Sequence, residues 1–257
     1  MNKRSLKRKI FSISASIMFL SFIGFGNLCF NQKVYAEITK SENEQFEKLS
    51  KAIGISPEEI SNCLKFSCGK QNEYSCELVI IDGSDEHKDC YISLFAETDS
   101  NEGNKEKSEY MQYYLDGKLK SKDYVESWFS RSVNRINDPL PNGITLMIKV
   151  NNEVVGRIGL GPLTNSKNDP EIGYAIKKEF SSKGITKHAV GASINFLKLL
   201  ISSGKYNFKK LRATAKEKNI SSNKLLSDHK FIKSEKLIDD GYGPELEYYY
   251  YFNEENK

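Results

Sequence analysis

The sequence predicts an α/β protein built on one mixed sheet flanked by helices. The first observation behind this is a clear β-hairpin signal, in which Ile144–Val150 and Glu153–Leu160 are joined by the turn residues Asn151–Asn152. The second is the order of patterns along the chain: helices, this hairpin, then strand, helix, strand, helix, strand and strand. Such an order implies helices layered on a single sheet.

Composition fits a globular protein, since 39% of the 257 residues are hydrophobic and 11% are aromatic. The formal net charge is +4, but residues 1–36 carry six Lys and Arg side chains and no acid, so the remainder carries −2. A nucleic-acid-binding function therefore has little electrostatic support, and no nucleic-acid partner is expected.

Residues 1–36 are predicted to be a secretory signal peptide. A basic start, Met1–Lys9, precedes the apolar run Ile10–Phe30, and Val34 and Ala36 suit a cut before Glu37. The alternative is an uncleaved membrane anchor, because the apolar run is about long enough to span a bilayer. The protein is thus expected to be exported, or membrane-anchored with membrane contact through this segment alone.

Residues 37–88 are predicted to form a small Cys-containing N-terminal extension. Lys51–Leu64 has the pattern of a short helical pair, with a helix start at Ser56–Glu59. Four cysteines then cluster at Cys63, Cys68, Cys76 and Cys90. In an exported protein they suggest two disulfides of three possible connectivities, with free thiols and a zinc site as the alternatives.

The next elements in order are two strands and two helices. Glu77–Asp82 and Tyr91–Phe95 read as strands on either side of a polar turn. Thr98–Ser108 is a charged loop, and Glu109–Leu115 and Ser121–Ile136 have helical spacing of their apolar residues.

The centre of the chain predicts a strand, a small-residue loop and a long helix. The strand Glu171–Ile176 follows an Asn-Asp-Pro turn signal, and the loop is Ser181–Gly184. The helix runs from about Ile185 to Ser203 and stops at Gly204. Because the first amides of a helix lack internal partners and carry partial positive charge, this layout suits a pyrophosphate, although an ordinary turn without a ligand is the alternative.

The C-terminal part predicts three more strands around one short helix. The strands are Lys210–Ala215, Phe231–Leu237 and Glu247–Phe252, and the helix is Ser221–Asp228. The tyrosine run Tyr248–Tyr251 alternates faces, so its aromatic residues are expected to be core residues of the last strand.

Several short motifs appear in a recognisable order between residues 171 and 232. They are Glu171-Ile172-Gly173-Tyr174, then Gly184 with Ala189, then Asn219-x-x-Ser222-x-x-Leu225-Leu226, then Phe231. This order resembles the GNAT N-acetyltransferase superfamily, most closely its ribosomal-protein-N-acetyltransferase-like (RimJ/RimL) branch. The resemblance spans about Tyr91 to Phe252. It implies a GNAT-like domain over residues 89–257 with a mixed, mostly antiparallel central sheet.

The resemblance also implies the co-substrate, acetyl-CoA, and the residues that bind it. The pantetheine amides would pair with the strand of Ile172, Tyr174 and Ile176, and Asn219 would contact the pantetheine or the acceptor region. The pyrophosphate would lie on the amides of the loop and first helical turn, at Ser182, Lys183, Gly184, Ile185, Thr186 and Lys187. Lys183 could also add a positive charge.

The implied reaction is direct acyl transfer to a primary amine of a protein N-terminus, a peptide or a small molecule. Glu171 would take the proton of the amine, and Ser222 would protonate the leaving thiolate. Each residue has a plainer alternative: Glu171 could be a surface or structural carboxylate, Ser222 a helix N-cap and Asn219 a turn residue.

The phosphate loop departs from the family pattern, because Ser181–Gly184 lacks the first Gly and the Arg of Arg-Gly-x-Gly. This departure leaves open an alternative function, an exported GNAT-fold binding or interaction module that no longer catalyses. A disulfide-stabilised extracellular protein with only the architecture of the family is a third possibility.

Overall fold

A computed structural model describes residues 40, 43–114, 116–164, 169–239 and 243–253. The predicted signal peptide or anchor, residues 1–36, lies outside these residues. The described residues belong to one compact unit that spans Thr39–Lys257. None of the described helices is long and apolar enough to cross a membrane.

The elements follow one another as short helices and strands around one sheet. The helices are α1 (residues 43–53), α2 (Pro57–Cys63), α3 (Asp85–Phe95), α4 (Asn101–Met111), α5 (Lys122–Asn134), α6 (Ile185–Ser202) and α7 (Ile220–Asp228). The strands are β1 (Lys65–Cys68), β2 (Tyr74–Ile80), β3 (Ile144–Val150), β4 (Glu153–Gly161), β5 (Glu171–Ile176), β6 (Lys210–Ala215), β7 (Ile232–Asp239) and β8 (Pro244–Tyr251).

The eight strands form one sheet in the order β1-β2-β3-β4-β5-β6-β8-β7. Neighbouring strands are antiparallel except β5 and β6, which are parallel. The predicted mixed, mostly antiparallel sheet is therefore confirmed. The central hairpin β3–β4 turns at Asn151 and Asn152, which both adopt positive φ angles, 49° and 68°, as a tight hairpin turn requires.

The sequence analysis predicted a strand at Tyr91–Phe95, and this prediction is wrong. These residues form the end of helix α3. The helix begins after Ser84 and carries Asp85 and Glu86 in its first turn, where negative charge is favourable. Its buried residues recur at helical spacing: His87, Cys90, Tyr91, Leu94 and Phe95. The five-residue window matched a strand only because it samples little more than one helical turn.

The segment Thr98–Ser108 is likewise not a loop, because α4 begins at Asn101. The hydroxyl of Ser100 caps this helix by accepting a 3.2 Å hydrogen bond from the amide of Gly103. Met111 is the one buried residue of α4. A helix with so few apolar residues shows no amphipathic pattern, so the sequence analysis could not recognise it as a helix.

Strand β1 was not predicted, and with β2 it extends the sheet beyond β3. Residues 37–88 therefore supply two strands to the same sheet as the rest of the chain. The three cysteines of this region, Cys63, Cys68 and Cys76, and the nearby Cys90 are free thiols, so the predicted disulfides are not formed in the structure. The Sγ atoms of Cys68 and Cys76 nevertheless lie 3.2 Å apart across the β1–β2 hairpin.

Two apolar clusters cover the two faces of the sheet. The larger cluster packs α6 against one face through residues such as Ala189, Phe196 and Leu200, and it includes Tyr248. The smaller cluster packs α3 and α5 against the other face through Tyr91 and Phe129, among others. The tyrosine strand is thus part of the core, as predicted. Among the described residues, no group of three or more His, Cys, Asp or Glu side chains is placed to hold a metal ion.

Candidate functional site

A cavity of about 890 Å³ opens where β5 and β6 separate. These two strands are paired only at Glu171 and Arg212, at the start of β5. Beyond that pair they diverge, while β5 stays fully paired with β4 on its other side. The sheet therefore offers an unpaired strand edge to the cavity.

The backbone of alternate residues in β5 faces this edge. The amide of Lys177 donates a 2.8 Å hydrogen bond to the carbonyl of Val155, towards β4. Because main-chain groups alternate in direction along a strand, those of Ile172, Tyr174 and Ile176 point the opposite way. The Tyr110 hydroxyl donates a 3.1 Å hydrogen bond to the carbonyl of Ile176, so helix α4 already contacts one of these three positions.

The loop before α6 and the first turn of that helix line one end of the cavity. Gly184 is the N-cap residue with a φ of 78°, and no side chain caps the helix. Ser182 also has a positive φ, 59°, which is unusual for a residue with a Cβ atom. The amides of the first helical turn, at Ile185, Thr186 and Lys187, have no intrahelical acceptors. The structure thus brings together the backbone positions predicted to bind pyrophosphate.

Two positive side chains accompany these amides, and we call them the basic end of the cavity: Lys187 and Lys224. Lys218 also lines the cavity. The ammonium groups of Lys187 and Lys224 lie 2.9 and 3.3 Å from the carboxylate of Asp228. These hydrogen bonds lower the pKa of Asp228. Lys183, which was predicted to add a charge here, instead lies over the rings of Phe180 and Tyr74, at 5.0 and 5.7 Å.

The start of α7 places a hydroxyl pair on the cavity wall. Asn219 is the N-cap residue, and its side chain accepts a 3.2 Å hydrogen bond from the amide of Ser222. Ser222 is therefore not the N-cap, which was its alternative assignment. Its hydroxyl shares a 2.6 Å hydrogen bond with that of Tyr174. Burial raises the pKa of Tyr174 to about 12, so its phenol remains protonated at neutral pH.

The predicted base, Glu171, lies at the other end of the cavity in an ion-pair cluster. Its Oε2 atom is 2.5 Å from Nη1 of Arg212, whose Nε donates a 2.8 Å hydrogen bond to Glu247. Arg212 therefore bridges carboxylates from β5 and β8. This geometry fixes the orientation of the Glu171 side chain beside the point where the strands diverge.

Glu245 and Glu109 were not identified from the sequence, although both line the cavity. They do not cluster with Glu171: Glu245 lies beyond the pair Ala215–Leu246, two strands away from Glu171, and Glu109 precedes Tyr110, which contacts Ile176 at the far end of β5. Glu245 lies on β8 and is 8% exposed. Glu245 precedes the tyrosine run in a charged segment, and no local pattern distinguishes it from a surface carboxylate.

A second group that the sequence analysis missed, Arg157, supports the wall of the cavity. Nη1 of Arg157 donates a 2.9 Å hydrogen bond to the hydroxyl of Tyr114, which lines the cavity. The guanidinium carbon of Arg157 lies 5.3 Å from the ring centroid of Tyr91 and 4.9 Å from that of Trp128. Arg157 sits in the strand β4, where the sequence pattern predicts only pairing, so its role depends on tertiary contacts.

Comparison with protein-family models assigns the sequence around this site to a family. Residues 94–232 match the family model described as the acetyltransferase (GNAT) domain. A search of curated protein sequences returns no match.

Solved structures share the fold at low sequence identity. RimJ of Mycobacterium smegmatis, in complex with a CoA disulfide, is 15% identical with a TM-score of 0.54, over 69% of this chain and 82% of that one. A RimL ribosomal L7/L12 α-N-protein acetyltransferase is 15% identical with a TM-score of 0.53, over 69% and 90%. The spermidine N-acetyltransferase of Vibrio cholerae, in complex with CoA and spermine, is 12% identical with a TM-score of 0.52, over 68% and 95%.

Proposed function

The chain belongs to the GNAT acetyltransferase family, and we propose that it transfers the acetyl group of acetyl-CoA to a primary amine. The observation that carries this proposal is the cavity between β5 and β6, with an unpaired strand edge and an uncapped helix start on its walls. Acetyl-CoA is the co-substrate that this arrangement suits, because it has amides for the strand edge and a pyrophosphate for the helix amides.

The residues present fit this co-substrate in chemistry and position. The main-chain groups of Ile172, Tyr174 and Ile176 would hold the pantetheine arm, which requires the Tyr110 hydroxyl to leave the carbonyl of Ile176 or to share it. The amides from Ser182 to Lys187 would bind the pyrophosphate, with charge from the basic end. Asn219 would keep its capping role and orient Ser222 beside the thioester.

The chemistry requires a neutral amine, because only a nitrogen with a free electron pair can attack the thioester carbonyl. Amines have pKa values of about 8 at an N-terminus and about 10.4 on Lys, so a proton must be removed. We assign this step to Glu171, directly or through a water molecule. The new N–C bond forms and the C–S bond breaks, and the leaving thiolate takes the proton of the Ser222 hydroxyl while Tyr174 passes its own proton to Ser222 through their shared hydrogen bond. Water in the cavity then returns a proton to Tyr174, and Glu171 releases the proton of the amine to solvent.

Incubation of the full-length chain with acetyl-CoA and a panel of primary amines tests this function. We expect equal amounts of free thiol and N-acetylated amine, measured by a thiol reagent and by mass spectrometry. The Glu171→Gln variant should lose about 100-fold in kcat, whereas Glu235→Gln, on the exposed edge strand β7, should keep wild-type turnover. Thiol release without an acetylated amine would contradict the proposal.

The alternative function, a GNAT-fold module that binds without turnover, is favoured by Ser182 at the place of a family glycine. It predicts acetyl-CoA binding with no acetylated product from any amine. Titration calorimetry on the same preparation separates the two functions, because the enzyme must both bind and turn over.

We also propose that residues 1–36 direct export. The support is the basic and apolar layout of this segment. N-terminal sequencing of the protein from the medium or envelope of producing cells should give Glu37 as the first residue. A full-length chain found in the cytosol alone would contradict export. Because acetyl-CoA is a cytosolic metabolite, an exported enzyme must act where another cell's cytosol supplies it.

A further inference from the structure

Helix α4 contacts the open edge of β5 through one tyrosine. The Tyr110 hydroxyl donates a 3.1 Å hydrogen bond to the carbonyl of Ile176. This carbonyl points away from β4, because the next amide, that of Lys177, bonds to β4 and main-chain groups alternate in direction along a strand. Tyr110 also lines the cavity between β5 and β6. Its hydroxyl therefore occupies a hydrogen-bonding position that a neighbouring strand would fill in a continuous sheet.

The same side chain is connected to the loop that precedes α6. Burial raises the pKa of the Tyr110 phenol, and a hydrogen bond with Ser181 acts in the opposite direction. Ser181 in turn donates a 2.7 Å hydrogen bond to the carbonyl of Lys178. Because the phenol stays protonated at neutral pH, it is a hydrogen-bond donor between the strand edge and the loop, the two parts of the cavity proposed to bind acetyl-CoA.

Few other contacts hold α4 in place. Met111, at the last position of the helix, is its one buried side chain. Lys107 donates hydrogen bonds of 3.0 and 2.6 Å to two carbonyls at the end of α3. Towards the cavity, the ion pair of Glu106 with Lys178 joins side chains that are 66% and 55% exposed, and so exposed a pair contributes little to stability. The hydrogen bond of Tyr110 is therefore the main polar contact between α4 and β5.

We propose that α4 is a lid, and that the hydrogen bond from Tyr110 to Ile176 is an autoinhibitory latch that holds this lid on the empty cavity. A pantetheine amide that pairs with β5 needs the same carbonyl oxygen, so the two donors compete for it. The latch opens when acetyl-CoA binds, and α4 then separates from the edge of β5. This inference rests on the proposed function, from which it takes its ligand.

The Tyr110→Phe variant of the full-length chain tests the competition. It removes the hydroxyl and keeps the ring, so acetyl-CoA no longer has to displace a hydrogen bond. We expect the dissociation constant of acetyl-CoA, measured by titration calorimetry, to fall about fivefold, the ratio that about 1 kcal/mol produces. Tyr124→Phe is the control, because it removes a hydroxyl from a side chain on α5 that is 51% exposed. Its affinity should match that of the wild type.

Hydrogen exchange measured by mass spectrometry tests the lid without any ligand. A helix of 11 residues is marginal when it is detached, so its amides exchange whenever the lid opens. Peptides from α4 should therefore exchange about fivefold faster in Tyr110→Phe than in the wild type, whereas peptides from α5 should be unchanged. In the wild type, saturating acetyl-CoA should speed exchange in α4 and slow it in β5, a comparison that needs no variant.

Three results would overturn the inference. Unchanged or weaker acetyl-CoA binding in a folded Tyr110→Phe variant would show that the hydroxyl shares the carbonyl with the ligand instead of competing for it. Equal exchange of α4 in the two ligand-free proteins would show that Tyr110 does not hold the helix. Slower exchange of α4 in the wild type with acetyl-CoA would show that the ligand closes the lid. The proposed function fails differently: neither protein then binds acetyl-CoA, while exchange in the ligand-free proteins still tests the latch.

Discussion

The hydroxyl oxygens of Tyr174 and Ser222 lie 2.6 Å apart, although 48 positions separate the two residues in the chain. Tyr174 comes from the part of β5 that is not paired with β6, and Ser222 comes from the first turn of α7. The hydrogen bond therefore joins β5 to α7 on the wall of the cavity. Since burial raises the pKa of Tyr174 to about 12, the pair is neutral at neutral pH before the reaction, and it must regain a proton from water after it has given one to the thiolate.

Ser222→Ala should lower kcat by about 100-fold, because the leaving thiolate loses its proton donor. The dissociation constant of acetyl-CoA should stay within about twofold, because Asn219 still caps the amide of residue 222. Steady-state kinetics and titration calorimetry measure the two effects. Ser227→Ala is the control: its hydroxyl only donates to the carbonyl of Asn223 within the same helix. Full kcat in Ser222→Ala would exclude the proton-donor role.

Alanine at Gly184 should weaken acetyl-CoA binding by about tenfold. The N-cap glycine has a φ of 78°, and an added Cβ would enter space occupied within 4 Å only by an atom of His188. Gly204 provides a matched control at the other end of α6, with a φ of 71° and open space around its Cβ position. Both substitutions should lower the free energy of unfolding by about 1 kcal/mol. Equal acetyl-CoA affinities in the Gly184→Ala and Gly204→Ala variants would show that acetyl-CoA does not bind at this loop.

Ser182→Gly should stabilise the protein and tighten acetyl-CoA binding. Ser182 adopts a φ of 59°, where a Cβ atom is strained, so glycine should raise the free energy of unfolding by about 0.5–1 kcal/mol. Asn152→Gly is the comparison, because Asn152 has a φ of 68° in the distant β3–β4 turn. Thermal unfolding and calorimetry should show tighter binding in Ser182→Gly alone. Weaker binding would show that the serine side chain itself contacts the ligand.

Oxidation should join Cys68 and Cys76, whose Sγ atoms already lie 3.2 Å apart. With an oxidised dithiol reagent as the oxidant, both thiols are lost and the protein loses two hydrogen atoms. Burial raises the pKa of Cys76 to about 12, and only the thiolate attacks a disulfide. The reaction should therefore be slow at neutral pH and faster as the pH rises.

The new bond should raise the free energy of unfolding by about 2 kcal/mol, as expected for so short a loop. Mass spectrometry of peptides identifies the pair, and Cys68→Ser should prevent the linkage. Cys90 is buried in the other apolar cluster, and burial raises its pKa to about 12, so it should remain a thiol. A bond that includes Cys90 would contradict the described packing of α3.

Local sequence patterns predicted an element correctly where its own residues carry a strand alternation or a turn signal. The strand Glu171–Ile176 and the hairpin around Asn151–Asn152 were predicted with the right bounds or nearly so, because alternation and turn residues are local properties. Helices α3 and α4 were missed for the opposite reason. For α3, the prediction considered only the five residues Tyr91–Phe95, which are too few to show a helical period. Helix α4 buries only Met111, so it has no apolar face to recognise.

The sequence by itself determined the α/β class, the central strand-loop-helix and the order of motifs that indicates the family. The tertiary structure alone decided which side chains share the cavity. It placed Lys183 on aromatic rings, held Glu171 with Arg212, and brought Glu245 to the lining of the same cavity from 74 residues further along the chain. The physical reason is that propensity and capping act between near neighbours, whereas charge pairing and burial depend on which strands the sheet sets side by side.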